Sequence, residues 1–345
     1  MHLVRICGLA SALLLGNLLP AAAQETCIGG NVLGVSRVVE IDTSTGPKFG
    51  FQYHDAASLL NDGEVVLTFD DGPLRAYTKP VLEALAAQCT KATFFVVGRM
   101  AVADPEMVKE YARRGHTVGT HTWSHQNLAQ LSAPKARAEI EMGFSAVQNA
   151  MGKPIAPFFR FPYLSHSSSM AQHLQHRQIA TFSIDVDSKD YRSRDPGTVH
   201  RLIMGGLARS RKGILLFHDI QPSTARALPA LLADLKAKGY RVVHMRPKAS
   251  VATVAEFDSV VQSAAEKRAA ASRGPLRRAV TWTVPLPPEL AGTKEDTSAT
   301  QGQGLSQGLG QATPGQKPAE PATPTRAPRR GAAEEDWKAG ILRSY

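Results

Sequence analysis

Cysteine is scarce in this chain: Cys7, Cys27 and Cys89 are the only three in 345 residues. None belongs to a C-x-x-C pair, which argues against a thiolate metal site. Aromatic residues make up 6% and do not interleave with the basic ones, so a nucleic-acid platform, which stacks bases on aromatic rings, is not expected. The one N-terminal apolar stretch falls short of the roughly 20 residues that cross a bilayer, so no stable membrane span is expected. No internal repeat is present.

What the chain does contain is enough for one large domain or two small ones: 43% hydrophobic residues and 20% charged. The N-terminus has the order of a secretory signal. His2 and Arg5 give a weakly basic start, Leu9, Leu13–Leu15, Leu18 and Leu19 an apolar stretch, and Pro20 precedes three alanines. Cleavage is expected after Ala23, which predicts an exported protein, periplasmic or secreted. Cys7 leaves with that signal. In an oxidising compartment Cys27 and Cys89 can form one bridge, or they can stay as two buried thiols. The formal charge is +10, with clusters at Lys267, Arg268, Arg273, Arg277 and Arg278 and at Arg326, Arg329 and Arg330. Such patches either favour anionic envelope polymers or lipids, or simply keep the chain soluble.

The middle of the chain alternates short apolar runs with helix-like segments. Strands are predicted near 65–69, 92–97, 117–119, 158–161, 179–184, 213–217 and 241–244, and helices near 78–88, 105–114, 134–151 and 224–238. Alternation of this kind implies a parallel sheet, because parallel neighbours need crossover connections. The chemically capable residues fall just after strand ends, which favours a closed or nearly closed (β/α) barrel over an open sheet. The predicted organisation is a signal over 1–23, a lead-in over 24–63, a catalytic domain over 64–248 and a helical or irregular extension over 249–284. The remainder, 285–345, is rich in Gly, Pro, Gln, Thr and Ala and poor in large apolar residues. A segment of that composition buries too little surface to offset its ordering entropy, so a disordered tail is expected.

Five motifs carry chemistry. Thr68-Phe69-Asp70-Asp71-Gly72-Pro73 delivers two adjacent carboxylates from a strand into a sharp turn. Two buried carboxylates repel unless a cation or a basic group sits beside them; the alternative is a turn in which one Asp caps the next helix. His121-Thr122-Trp123-Ser124-His125 places two histidines four apart, on one face of a helical turn, where they can share a cation. Leu216-Phe217-His218-Asp219 ends another strand on a histidine suited to proton transfer near neutrality. Phe159-Arg160-Phe161-Pro162-Tyr163 sets an arginine among apolar residues, which must find a carboxylate if buried; Asp70 and Asp190 are the candidates. The fifth is Asp187-Ser188-Lys189-Asp190-Tyr191.

Together these motifs resemble the polysaccharide deacetylases, the family with the NodB-homology domain (carbohydrate esterase family four, with chitooligosaccharide deacetylase-like members), over roughly residues 64–244. The resemblance implies an α/β fold, a distorted (β/α)7-type barrel, and hydrolysis of acetyl groups on chitin oligomers, peptidoglycan or xylan. It implies that Asp70 is the general base, that Asp71, His121 and His125 are metal ligands, and that His218 is the general acid. Arg160 would tune Asp70, with Asp190 as partner. The backbone N–H of Tyr163 would help hold the oxyanion, Leu216 would line the pocket for the acetyl methyl, and Tyr191 would offer an aromatic wall for substrate. Tyr191 stands where the family usually has Trp, and Leu164 where Gly or Ala is frequent, departures that bear on substrate preference more than on activity. Zinc suits a His₂Asp set best, and cobalt or nickel would also fit. An acetylated glycan is the expected partner. The rival readings are an O-acetyl esterase, a small-amide amidase on the same fold, and an inactive carbohydrate-binding protein.

Overall fold

The strand that carries the two carboxylates is buried along its whole length, and the rest of the fold is arranged around it. The computed structural model describes residues 30–53 and 59–273. In chain order the elements are β1 (Arg37–Ile41), β2 (Lys48–Phe49), β3 (Glu64–Asp70), α1 (Arg75–Ala87), β4 (Thr93–Val96), α2 (Gly98–Ala103), α3 (Pro105–Arg113), β5 (Thr117–Thr120), α4 (Ala133–Met151), β6 (Phe158–Phe159), α5 (Ser168–His176), β7 (Ala180–Phe182), β8 (Val186–Asp187), α6 (Pro196–Ser210), β9 (Gly213–His218), α7 (Pro222–Ala237), β10 (Arg241–Pro247) and α8 (Ala255–Arg273). The described residues fall into two units, divided between Val261 and Gln262.

Among the described residues all the strand pairings are parallel. β3 is flanked by β9 along its length and by β4 at its end, and β4, β5, β6 and β7 follow in order. β7 and β8 follow one bent course: β7 pairs with β6, while β8 pairs with β9 and so closes the ring. This is the predicted distorted (β/α) barrel. β10 pairs with only the first two residues of β3 and then runs beside β1.

Period-two alternation explains the two layers of core. Val65, Leu67 and Phe69 of β3 point outward into the cluster formed with the helices, including Leu82, Phe94 and Leu228. Val66 points inward, with Phe95, Phe158, Phe182, Ile214, Val243 and Met245. Thr68 and Asp70 share the inward parity of Val66, which is why a carboxylate reaches the barrel interior.

All seven predicted strands are present, and the four predicted helices are shifted at their starts by three residues or fewer. The lead-in is not merely a connector, since β1 and β2 extend the sheet by pairing with β10 and β7. α6 was missed because Gly205-Gly206 interrupts its helical pattern. Gly206 lies so close to β8 that a Cβ there would stand 2.4 Å from Val186 Cγ1. Among the described residues no helix is long and apolar enough to cross a membrane. The signal over 1–23, Cys27 and the tail over 285–345 lie outside the described residues, as do Arg277, Arg278, Arg326, Arg329 and Arg330. Cys89 is disulfide-bonded.

Candidate metal centre and active site

The barrel brings the ends of β3, β5, β6 and β9 to one rim. Asp70 and His218 are register partners on neighbouring strands. Asp71 turns out of β3 with φ 75°, its N–H donating to Phe95 O at 3.2 Å, and a cis Gly72-Pro73 bond follows. Gly72 is required by close approach, since a Cβ there would lie 2.3 Å from Asp219 Oδ1 and 2.5 Å from the Tyr111 hydroxyl. No Asp caps the following helix: α1 begins after Leu74, without a side-chain cap.

Asp71, His121 and His125 each present one ligand atom, all within 4.8 Å of one another. Asp71 Oδ1 lies 3.2 Å from His125 Nε2 and 3.7 Å from His121 Nε2. That oxygen is buried and accepts no hydrogen bond, the environment of a carboxylate oxygen that faces a cation. His121 Nδ1 donates to Arg160 O at 2.7 Å, which leaves the Nε2 lone pair toward Asp71. Burial and then His125 hold the His121 imidazole well below its ordinary range, so it is neutral, as a ligand must be. Two histidines and one carboxylate fit a divalent ion and leave positions for water and substrate.

The His121–His125 segment is not helical, contrary to the expectation of a helical turn. It is a loop after β5 with Thr122 at φ 70° and His125 at φ 60°. Glu139 on α4 holds it, accepting from Ser124 N at 2.8 Å and Ser124 Oγ at 2.6 Å, while His125 N donates to Thr122 Oγ1 at 3.0 Å.

Asp70 faces Arg160, whose Nη1 donates to Asp70 Oδ1 at 2.7 Å and to Thr68 Oγ1 at 2.8 Å. Arg160 is wholly buried, with its guanidinium 4.3 Å from the centre of the Phe95 ring and Nη2 donating to Ser183 O at 3.1 Å. Burial raises the Asp70 carboxyl to about 6, against the opposing pull of Arg160 and His218. A carboxylate with that value can take up a proton near neutrality.

Asp190 pairs with His218 and not with Arg160, a correction to the expected partnership. β8 lies beside β9, with Asp187 opposite Leu216, so the loop that follows β8 reaches the end of β9. His218 Nδ1 lies 2.7 Å from Asp190 Oδ1, and Thr224 Oγ1 donates to Asp190 Oδ2. Burial lowers the His218 imidazole, but Asp190, Asp71 and Asp70 outweigh it and hold the group at about 10. It therefore carries a proton at neutral pH.

Of the remaining predicted residues, Tyr163 (φ 60°) sets its ring edge-on to His125 at 4.7 Å. Tyr191 does the same to His218 at 5.6 Å, and its hydroxyl donates to Asp187 Oδ2 at 3.2 Å. Leu216 is buried on β9. Sequence reasoning overlooked Thr68, which sits two residues before Asp70 and hence on the same strand face. It also passed over Asp219, which immediately follows His218. Asp219 is buried behind Gly72, accepting from Thr78 Oγ1 at 2.6 Å and from the Tyr111 hydroxyl.

A family model described as polysaccharide deacetylase matches residues 59–181. The chain is 33% identical over 179 residues to a peptidoglycan-N-acetylglucosamine deacetylase of Listeria monocytogenes, covering 52% of this chain and 37% of that protein. It therefore spans well under half of that relative. A chitooligosaccharide deacetylase of Bradyrhizobium sp. is 30% identical over 193 residues, covering 52% of this chain and 87% of the relative. Among solved structures, the Bdellovibrio bacteriovorus peptidoglycan deacetylase Bd3279 superposes with a TM-score of 0.58 at 30% identity, over 64% of this chain and 61% of that one. With the barrel and its strand-end residues, these likenesses establish that the chain belongs to the polysaccharide deacetylase family.

Proposed function

We propose that this protein is a metal-dependent N-deacetylase of exported glycans, acting on N-acetylglucosamine units of peptidoglycan or of chitin-type oligomers. The observation that carries this reading is one three-residue ligand set beside two buried acid–base pairs. Asp70–Arg160 and His218–Asp190 both stand at it, with His121 Nε2 3.8 Å from Asp70 Oδ2 and His218 Nε2 4.0 Å from Asp71 Oδ2.

Asp71, His121 and His125 would hold one divalent ion, zinc by its donor set, which when bound would supply a Lewis acid and lower the pKa of water. The chain's own groups do the proton work. Asp70, ionised and oriented by Arg160, takes a proton from the attacking water as the new C–O bond forms. The Tyr163 backbone, turned through its positive φ, is assigned to the developing oxyanion, a role worth about 10²–10³-fold in other enzymes. His218 gives its proton to the nitrogen as the C–N bond breaks, so the products are acetate and a free amine. Leu216 provides an apolar wall for the acetyl methyl, and Tyr191 borders the general acid.

Glucosamine polymers are favoured because the relatives above are named for peptidoglycan-N-acetylglucosamine and chitooligosaccharides. The basic–apolar–small order of residues 1–23 supports export. The test is acetate release from peptidoglycan, chitin oligomers and acetylxylan. Release from the first two is expected; release from acetylxylan alone would make the protein an O-acetyl esterase. Silence on all three with metal bound would make it a binding protein.

A further inference from the structure

A second concavity, of about 710 Å³, lies at the other end of the barrel. Its walls are residues that lead into the strands: Lys91 ahead of β4, His116 ahead of β5 and Lys153 ahead of β6. They are joined by His244 and Arg246 of β10, with Lys248 just after it. Because these strands are parallel, their entry ends lie a strand's length from the rim where Asp70, His121 and Arg160 meet.

Every charged side chain lining this cavity among the described residues is basic: Lys91, Lys153, Arg246 and Lys248. Lys91 Nζ is anchored on Arg114 O at 2.7 Å, and Lys248 makes a long, exposed pair with Asp42 at 3.6 Å. Lys153 and Arg246 are exposed. Among them sit two buried imidazoles. His116 Nδ1 accepts from Ala92 N at 3.2 Å, which assigns its proton to Nε2. Thr117 Oγ1 donates to Met245 O at 2.6 Å, so it accepts from His244 Nε2 at 3.0 Å. Burial and then Arg246 and Lys91 push His244 down to about 4, and burial followed by Lys91 lowers His116. Lys91 thus acts on both rings and Arg246 on His244, and with Lys153 and Lys248 they give the cavity wall concentrated positive charge.

We propose that this cavity is a binding site for a phosphoryl group, separate from the metal-ligand cluster. The cations come from three separate stretches of chain and line the same space, whereas a single carboxylate would need only one fork of donors. A phosphoryl group, with a charge of about −1.5 to −2 and three acceptor oxygens, takes donors from several directions at once.

The experiment follows the His116 and His244 ring protons by NMR in the metal-loaded full chain. Inorganic phosphate, glycerol phosphate and acetate are titrated at constant ionic strength. Resonances of these two rings separate the cavity from anion binding at the metal-ligand cluster. A saturable shift of both is expected with the phosphoryl compounds and not with acetate. It should weaken by about tenfold or more in Lys153→Glu/Arg246→Glu, two exposed positions, and in the neutral Lys153→Gln/Arg246→Gln pair to a lesser degree. Both double variants should keep their acetate release. Tighter saturation by glycerol phosphate would place the group on a larger molecule, and tighter saturation by inorganic phosphate would make the free ion the ligand. Failure of these rings to shift saturably, an equal response to acetate, or full affinity in the charge-reversed protein would overturn the proposal.

Discussion

Asp190 grips His218 at two nitrogens, accepting from its backbone N–H at 2.8 Å and from Nδ1 at 2.7 Å. The carboxylate thereby fixes the ring and keeps it charged in a buried place. Asp190→Asn removes the largest influence that opposes burial, so the His218 pKa should fall from about 10. In the proposed mechanism the protonated form is the acid, so the alkaline limb of the pH–rate profile should move to lower pH. The rate at neutrality should drop by about 10²-fold, the lower end of general-acid contributions. An unmoved alkaline limb would remove Asp190 from this role.

Arg160 is the largest fully buried side chain and the partner of Asp70. Arg160→Met leaves that carboxyl buried without its cation. The expected cost is about 3–5 kcal/mol, the range for breaking a buried pair from one side, read from denaturant unfolding. With Arg160 gone, Asp70 should also stay protonated to higher pH, so the acid limb of activity should move upward.

Gly72→Ala would drive a methyl into Asp219 and Tyr111 and so displace the turn that carries Asp71. Metal affinity should fall by about 10–100-fold, as when a group supporting a ligand is lost, measured by competition with a chelator. Unchanged affinity would show that the turn tolerates the shift.

Glu64 opens β3, and its carboxylate accepts from Arg37 at 2.7 and 2.8 Å and from Asn61 N at 2.8 Å. The Arg37 hydrogen bonds hold it down at about 2, from an ordinary 4.5. The folded value is depressed, so the stabilisation is complete above about 4.5 and is lost as pH falls toward 2. Because Arg37 is partly exposed, the contribution is about 1–3 kcal/mol. Subtracting the Glu64→Gln stability curve from that of wild type should isolate a loss confined to that window.

The strand-end carboxylates and histidines were legible because a buried parallel strand is a short apolar run, and the first polar residue after it stands at the rim. Pairing across the rim was not legible. Whether Asp190 meets Arg160 or His218 depends on β8 lying beside β9, and nothing in the local pattern states that adjacency. The His121–His125 spacing suggested a helical turn, but Glu139, fourteen residues beyond His125, holds it as a loop instead. β1 was overlooked because an edge strand with Val38 49% exposed reads as linker. The basic cavity is likewise invisible in sequence: Lys91, Lys153 and Arg246 are far apart in the chain and come together only where the end of β10 meets the entries of β4 to β6.

In the proposed mechanism Asp70 is the base beside a metal held by Asp71, His121 and His125. The most direct test of that role is acetate release from N-acetylglucosamine oligomers by wild type and Asp70→Asn, with metal content measured on the same samples. Wild type should bind one divalent ion, lose activity on chelation and regain it with zinc. Asp70→Asn should keep the ion and lose about 10²–10⁴-fold in rate. Near wild-type release by Asp70→Asn, or full activity in the chelated enzyme, would contradict the account.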